Sequence, residues 1–359
     1  MRIPEATLIL AAERFAGLLL GTAVGDALGL PAENLSAGRI RRLWRDQWKM
    51  RFIFGRGMVS DDTEHTLMVA QALLAGPKDA GEFQRILAWK LRWWFAGLPG
   101  GVGLATAKAC VKLWMGFPPD KSAVVSAGSG PAMRSAILGA YFASAPAPRR
   151  EFVLASSRLT HRGWQAETAA LAVAECAALA LTGHGAADPA QVISILEKLS
   201  SETEWQQIAA AIKHSLAAQL PVSDFARRLG LAKAISGYSL HVVPMAVYAW
   251  LRHPGDFRAA LISVLECGGD TDTTGAIVGA LAGATGGKGG IPSEWLDAVW
   301  EWPRSCSVME QIATRLATQP TSRRPPGPVH YFWPAVALRN FLFLTTVLLH
   351  GFRRVAPPY

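Results

Sequence analysis

Hydrophobic residues recur at spacings of three and four along most of the chain, which is the pattern of amphipathic helices. Runs in which polar residues alternate with β-branched residues are scarce, so a sheet has little to form from. Turns rich in Gly, Pro or Ser separate the helical runs. The pattern predicts an all-α, compact bundle, with clear helices at 63–75, 82–95, 167–181, 189–199, 204–216, 243–251 and 256–265.

One shift in composition divides the chain. Residues 321–328 read Thr-Ser-Arg-Arg-Pro-Pro-Gly-Pro, a sequence typical of a linker. We predict one helical domain over residues 1–320 and a basic, apolar extension over 321–359 that packs on it. The apolar run 341–349 is about half of the ~20 residues that cross a bilayer, so no transmembrane segment is expected. The run predicts a buried terminal helix, with association at a membrane surface as the alternative.

The composition argues against several classes of protein. With 359 residues, 50% hydrophobic and 18% charged, the chain is too apolar for intrinsic disorder. Its four scattered cysteines show no CxxC spacing, which argues against a disulfide scaffold and a cysteine zinc site and indicates a reducing compartment. Glu13 and Arg14 interrupt the apolar N-terminus, so no signal peptide is predicted and the expected location is cytoplasmic.

The net charge of +9 permits an anionic partner. No long basic run interleaved with aromatic residues is present, so we expect a basic, solvated surface and no specific nucleic acid. Binding to nucleic acid, the alternative, would weaken strongly with salt. Nothing in the sequence indicates oligomerisation, and a monomer is expected.

Two segments place oxygen-bearing side chains directly before predicted helices. A helix N-terminus stabilises carboxylates, but Ser and Asp are also the preferred helix caps, which is the simpler interpretation of the first segment. The second segment has two Asp and three Thr in five positions, more than one cap needs. Such oxygens suit Mg²⁺, Mn²⁺ or Ca²⁺, so the two segments together predict a divalent metal. The candidate ligands are Ser60, Asp61 and Asp62 in the first segment and Asp270, Asp272 and Thr273 in the second.

Three further segments carry groups that could bind a ligand. Residues 21–33 are dense in small residues and carry Asp26, which is interpreted as a buried, hydrogen-bonded carboxylate, and Glu33, which can face a cleft. A Gly/Ser loop at 126–130 precedes a helix and can hold phosphate with its backbone N–H groups, although most such loops are turns. A lone histidine such as His161 is usually structural, but its neutral ring can donate to a phosphate or ribose oxygen.

Together these segments resemble the ADP-ribosylglycohydrolase family over about residues 15–302. The matching motifs are, in chain order, GTAVGDALGLPAE, SDDT, SAGSGPAMR, TH and GGDTDTTGAIVGALAGA, of which the last is the most specific. The resemblance implies an all-helical bundle of this family's type around a metal cleft. It also implies two divalent ions as cofactors, Mg²⁺ or Mn²⁺.

The resemblance implies a role for each matching residue. The metal ligands would be Ser60, Asp61, Asp62, Asp270, Asp272 and Thr273. Substrate would be bound by Ser126, Gly128, Ser129 and Gly130 at the diphosphate, by His161 at the pyrophosphate and ribose, and by Tyr238 at the adenine. The implied reaction is hydrolysis of the glycosidic bond of an ADP-ribosylated substrate, with release of ADP-ribose. Glu33 or Asp62 would be the general base, and we favour Glu33 because Asp62 is already an implied ligand.

Two positions depart from the family pattern. Ser129 stands where the family commonly has Asn, which removes an amide donor from the diphosphate loop. Residues 98–103 contain no acid where arginine-specific members often have one, which argues against an arginine-linked substrate. The expected partner is an ADP-ribosylated protein or a small molecule that contains ADP-ribose, and the acceptor stays open.

Two alternatives belong to other functional classes. A catalytically silent member would bind ADP-ribose without cleaving it, but every acid of both clusters is present, which disfavours this reading. A toxin-neutralising immunity protein would need an additional lid or loop near the cleft.

Overall fold

The computed structural model describes residues 5–45, 47–183, 185–319 and 326–355. Within these ranges the chain forms 18 α-helices, three 3₁₀ turns and one sheet of two short parallel strands, so the prediction of an all-α fold is confirmed. The helices are α1 (Glu5–Gly29), α2 (Ala37–Trp44), α3 (Asp61–Leu74), α4 (Ala80–Ala96), α5 (Leu104–Trp114), α6 (Gly130–Met133), α7 (Ala136–Tyr141), α8 (Pro146–Ser157), α9 (Trp164–Thr182), α10 (Pro189–Leu199), α11 (Thr203–Ala217), α12 (Val222–Arg228), α13 (Ser239–Arg252), α14 (Phe257–Leu265), α15 (Thr271–Gly286), α16 (Ser293–Leu296), α17 (Cys306–Thr318) and α18 (Ala335–Val355). The strands are β1 (Val124–Val125) and β2 (His161–Arg162).

The seven helices predicted from hydrophobic spacing are all present, as α3, α4, α9, α10, α11, α13 and α14. Their ends were predicted within one residue, whereas their starts differ by up to four residues. The reason is that polar caps, not apolar spacing, set where a helix starts. Ser60, for example, caps α3 by accepting a hydrogen bond from Asp62 N at 3.2 Å, so this helix begins at Asp61.

The centre of the bundle is an antiparallel pair of helices, α1 and α15, whose backbones touch. Glycines at four-residue spacing on one helix face glycines at the same spacing on the other. These pairs are Gly17 with Gly283, Gly21 with Gly279, and Gly25 with Gly275. A Cβ built on Gly25 would lie 2.0 Å from the carbonyl oxygen of Gly275, so no side chain fits there. Helix α15 is buried over most of its length and α1 from Phe15 onward, and the end of α1 lies against the start of α15.

Helix α18 is attached to the bundle through buried charges. Arg339 donates to both oxygens of Glu301, at 2.9 and 2.7 Å, and its Nη1 lies 3.2 Å from Glu64. Glu64 also pairs with Arg304, and Arg339 donates to the carbonyl oxygen of Val59. The result is a buried network of two acids and two arginines next to the start of α3.

The prediction of a buried terminal helix at 341–349 is correct for the helix and wrong for its burial. Phe343 is buried, but most large apolar residues of the run face outward, namely Phe341, Leu344, Leu348 and Leu349. The cause is that α18 uses polar groups such as Arg339 and Asn340 on its inner face. The predicted domain boundary at 320/321 lies outside the described residues and stays a prediction.

Two helical stretches are long and apolar enough to cross a membrane by length and composition, Thr7–Ala32 and Ala335–Arg353. The first is the core helix α1 with the short turn that follows it. The second lies within α18, and 28% of its apolar 18-residue stretch is buried.

Replacing one glycine of the central pair should disrupt it. A Cβ built on Gly279 would lie 2.0 Å from the backbone oxygen of Gly21, so the two helices must separate. We expect Gly279→Ala to lower the free energy of unfolding by at least about 3 kcal/mol, the upper end of overpacking effects. Gly286→Ala, at a position with nothing within 4 Å, should leave it unchanged or raise it by up to about 1 kcal/mol. Urea denaturation measures both, and equal effects would contradict the proposed role of the contact.

Removing Arg339 should leave Glu301 and Glu64 as buried acids with less compensation. We expect Arg339→Ala to lower the free energy of unfolding by about 3–5 kcal/mol in urea denaturation. The matched control is Lys213→Ala, which removes an exposed ion pair with Glu197 and should cost less than about 1 kcal/mol. A cost for Arg339→Ala as small as that of the control would show that the buried network does not hold α18.

Candidate active site

The end of α1 is joined to the start of α3 by one buried carboxylate. Asp26 accepts hydrogen bonds from Ser60 N at 2.9 Å, Thr63 N at 3.2 Å and Thr63 Oγ1 at 2.6 Å. It therefore caps the first turn of α3, as the interpretation of Asp26 as a buried, hydrogen-bonded carboxylate predicted.

The start of α3 is joined in turn to the start of α15. Asp62 Oδ2 accepts from Ser60 Oγ at 3.0 Å and from Thr273 Oγ1 at 3.3 Å. The structure thus gathers the two segments that lie about 200 residues apart in sequence. All six predicted metal ligands lie in this one cluster: Ser60, Asp61, Asp62, Asp270, Asp272 and Thr273.

Glu33 is placed beside the cluster by a tight backbone contact. Gly269 has φ +90°, and a Cβ there would lie 1.8 Å from the carbonyl oxygen of Ile235, so only glycine fits. The carbonyl oxygen of Gly269 accepts a hydrogen bond from Asn34 N at 2.7 Å. The side chain of Asn34 in turn donates from Nδ2 to Glu33 Oε1 at 3.1 Å. Glu33 is half-buried, so it lies at the rim of the cluster.

Burial, and for several of the acids also mutual repulsion, raises the pKa of the carboxyl groups in the cluster. Burial raises the pKa of Asp26 to about 7, against the effect of its hydrogen bonds. Burial, followed by repulsion from Asp61 and Asp26, holds the pKa of Asp62 well above its usual value. Burial, followed by repulsion from Glu33, does the same for Asp272. So many acids cannot all ionise at neutral pH without positive charge among them.

The donor set fits hard divalent cations. Asp62 Oδ1 and Asp272 Oδ1 are buried oxygens without a hydrogen-bond partner, which is costly unless something else binds them. Carboxylate and hydroxyl oxygens are the ligands of Mg²⁺ and Mn²⁺. Among the described residues, no three His, Cys, Asp or Glu side chains converge tightly enough to coordinate one ion as they stand. Binding would therefore need small side-chain movements, and the metal stays a proposal.

The Gly/Ser loop lies next to this cluster. Ser129 Oγ is 3.4 Å from Asp270 Oδ2, and Ser129 N donates to the carbonyl oxygen of Gly237 at 3.1 Å. The backbones of Gly128 and Tyr238 pair in an isolated antiparallel β-bridge, so Tyr238 lies beside the same loop. The OH of Tyr238 donates to Glu204 at 3.0 Å, and burial raises its pKa to about 12. The predicted substrate-binding residues are thus adjacent in the fold, namely Ser126, Gly128, Ser129, Gly130 and Tyr238.

His161 packs against the two glycines of the loop. A Cβ on Gly130 would lie 2.9 Å from His161 Cε1, and one on Gly128 would lie 3.2 Å from its Nε2. Burial, and then the positive charge of Arg134, lower the pKa of His161 to about 3. The ring is therefore neutral at physiological pH and can donate from one nitrogen only.

Sequence reasoning missed the groups that hold His161. The fully buried Arg134 donates from Nη2 to Thr160 Oγ1 at 2.7 Å, and this hydroxyl lies 2.9 Å from His161 Nδ1. If the Thr160 hydroxyl donates to Nδ1, the ring proton is on Nε2, which faces the loop. Arg134 stands in the motif SAGSGPAMR, but nothing in that pattern indicated a buried arginine.

A large cavity lies apart from the candidate site. It has a volume of about 680 Å³ and is lined by aromatic residues of α4 and by the chain before α18, including Trp93 and Trp333. Glu64 lines it, but none of the predicted site residues does.

Comparison with known proteins agrees with these motifs. The profile of the ADP-ribosylglycohydrolase family matches residues 7–326. An uncharacterized protein of Archaeoglobus fulgidus is 32% identical over 310 residues, which cover 85% of this chain and 96% of that protein. The ADP-ribosyl-dinitrogen reductase glycohydrolase of Rhodospirillum rubrum is 28% identical over 291 residues, covering 79% and 89%.

A solved structure also has this fold. The structure titled "ADP-ribosylglycohydrolase-related protein complex" aligns with a TM-score of 0.62 and 26% identity, over 86% of this chain and 98% of that chain. This likeness confirms the fold type that the motifs predicted.

The low pKa of His161 predicts that its ring does not titrate near neutral pH. We expect its ¹⁵N NMR shifts to report a neutral ring with the proton on Nε2, unchanged between pH 5 and 8. His161→Gln identifies the signals. A midpoint near the ordinary value of about 6.5 would contradict the buried, neutral ring.

Proposed function

The chain belongs to the ADP-ribosylglycohydrolase family, and we propose that it uses divalent metal to hydrolyse the bond between the distal ribose of ADP-ribose and an acceptor. The observation that carries this proposal is the pair of unpartnered, buried oxygens, Asp62 Oδ1 and Asp272 Oδ1, in a cluster of acids. A loop suited to a diphosphate lies directly beside them, through the contact of Ser129 with Asp270.

Two divalent ions would be held by the six oxygen-bearing residues Ser60, Asp61, Asp62, Asp270, Asp272 and Thr273. Such ions, when bound, polarise ribose hydroxyls and a water molecule. They would also offset the repulsion that raises the pKa of Asp62 and Asp272.

The ADP half of the substrate would lie along the Gly/Ser loop. Gly128 and Gly130 have no side chain and lie against the His161 ring, so a phosphate could approach their backbone closely, with Ser126 beside them. The Nε2–H of neutral His161 would donate to a pyrophosphate oxygen. Tyr238, which bridges to Gly128, would stack on the adenine. These contacts fix the distal ribose beside the acids.

Glu33 would take the proton from the attacking water. Asp62 is 1% exposed, and its Oδ2 already accepts from Ser60 and Thr273, whereas Glu33 is half-buried at the rim. A base at the rim reaches water from the open side of the cluster. We therefore assign proton transfer to Glu33 and ligand binding to Asp62.

The acceptor would face the loop 98–103. A Cβ on Gly101 would lie 3.9 Å from Asp61 Oδ1, so this loop borders the cluster. It contains no acid to pair with a guanidinium group. We expect an arginine-linked substrate to be a poorer substrate than a serine-linked one.

The test is release of ADP-ribose from arginine-linked and serine-linked ADP-ribosyl protein, with Mg²⁺ or Mn²⁺ and with EDTA. We expect metal-dependent release that EDTA abolishes. Glu33→Gln should lower kcat by about 10²–10⁴-fold, the usual contribution of a general base. Asp272→Asn should lower it at least as much and raise the metal concentration needed for half-maximal rate.

The control is Glu197→Gln, which removes an exposed acid on α10 and should keep full activity. Binding of free ADP-ribose, measured by calorimetry, separates the possible outcomes. Binding without release from either linkage would support a silent binder over a hydrolase. Release that is unaffected by EDTA and by Asp272→Asn would overturn the metal-dependent mechanism.

A further inference from the structure

The exposed apolar side chains are concentrated in one part of the molecule. Of the 21 large apolar residues that are exposed among the described residues, 17 lie in three segments, 47–59, 83–119 and 326–352. Single exposed apolar residues are normal, whereas a continuous group of them marks a binding surface. We call the exposed residues of these three segments the apolar face.

The three segments are in contact with one another. Phe52 of the first packs on Phe343 of α18, with ring centroids 5.0 Å apart. Trp93 of the second meets Trp333 of the third, with centroids 6.1 Å apart. The apolar face is therefore one surface, and α18 is at its centre.

Helix α18 differs from an ordinary surface helix. Its inner face is mixed, with the buried polar residues Arg339, Asn340 and Thr346 beside the buried Val336 and Phe343. Its outer face is apolar, with Phe341 70% exposed and Leu349 63% exposed. A helix that faces water carries polar residues on its outer side, so the outer face of α18 is suited to an apolar environment.

The charge of the chain is concentrated in the same segments. Residues 47–59, 83–119 and 326–352 contain nine Lys or Arg and no Asp or Glu. The rest of the chain contains 27 Lys or Arg and 27 Asp or Glu. Only Arg339 of the nine is committed to the buried network with Glu301 and Glu64. The net positive charge of the protein thus comes from the three segments that form the apolar face.

We propose that the apolar face binds the surface of a lipid bilayer that contains anionic lipids. The outer side of α18 would lie at the boundary between headgroups and acyl chains, parallel to the membrane, as amphipathic interfacial helices do. The exposed tryptophans that flank it, such as Trp93 and Trp333, suit the headgroup level. Lysines and arginines around the apolar residues would attract the anionic headgroups.

Charge favours a bilayer over a second copy of the chain as the occupant. In a symmetric dimer through this face, two surfaces rich in Lys and Arg and lacking acids would oppose each other, and like charges across an interface are unfavourable. An anionic bilayer satisfies both properties of the face, because it is apolar inside and negative at its surface.

The test is co-sedimentation of the protein with lipid vesicles. The vesicles contain phosphatidylcholine alone or a mixture with phosphatidylglycerol, and binding is compared at about 0.1 M and about 0.5 M NaCl, because salt screens the charges. We expect binding to the anionic vesicles that weakens with salt. The double variant Leu344→Glu/Leu348→Glu should reduce binding at least about tenfold by placing charge on the apolar side of α18. Lys108→Gln should reduce it about fivefold, the effect expected for one basic residue at a membrane surface.

The matched control is Leu10→Glu, which places the same charge on an exposed apolar residue outside the face and should not change binding. Circular dichroism melting checks that each variant is folded. The absence of binding to anionic vesicles at low salt would overturn the proposal. A stable dimer in lipid-free solution that the α18 variant dissociates, without vesicle binding, would assign the face to a second copy instead.

Discussion

The close contact of α1 and α15 is the constraint on which the rest of the structure depends. Because Gly21 and Gly279 leave no side chain between the helices, the backbones approach until each blocks any Cβ on the other. The two helices run antiparallel, so the end of one meets the start of the other. Asp26, in α1, and Glu33, which follows the end of α1, therefore lie near the Asp-rich start of α15. The site is therefore a result of helix packing, and its loops add to a geometry that the core has already set.

Burying several acids close together is electrostatically unfavourable, and the surrounding hydrogen bonds offset this only in part. Hydrogen bonds from Ser60 and Thr63 stabilise Asp26, but burial still raises its pKa to about 7. The positive groups nearby are used elsewhere: Arg134 donates to Thr160 beside the Gly/Ser loop, and Arg339 is paired with Glu301 beneath α3. No cationic side chain is thus paired with Asp62 or Asp272 among the described residues, which is the arrangement expected where a cation is proposed to bind.

The residues proposed for the site can be picked out of the sequence, whereas the residues that support them cannot. Asp62 and Asp272 are identifiable because oxygen-bearing residues crowd a helix start, a local pattern that needs no knowledge of the fold. Arg134 and Arg339 have no such pattern, since their partners are remote in sequence and the contacts exist only after folding. The exposure of the apolar residues of α18 could not be predicted either, because an apolar run has the same composition whether it packs in a core or lies on a surface. Hydrophobic spacing indicates which residues avoid water, but it does not indicate what they pack against.

The apolar face and the candidate active site share one loop, so the proposed membrane surface and the proposed site lie close together. Leu98 is exposed on the face, while Gly101, three residues later, borders Asp61. Gly97 of the same turn accepts a hydrogen bond from Asn340 of α18 at 2.7 Å, so the loop is held by the helix that would lie on the bilayer. A membrane bound there would lie next to the side of the cluster at which we propose that the acceptor enters. The loop proposed to select the acceptor is thus also the loop that would bring the site to a membrane, and the hydrogen bond from Asn340 of α18 holds it in place.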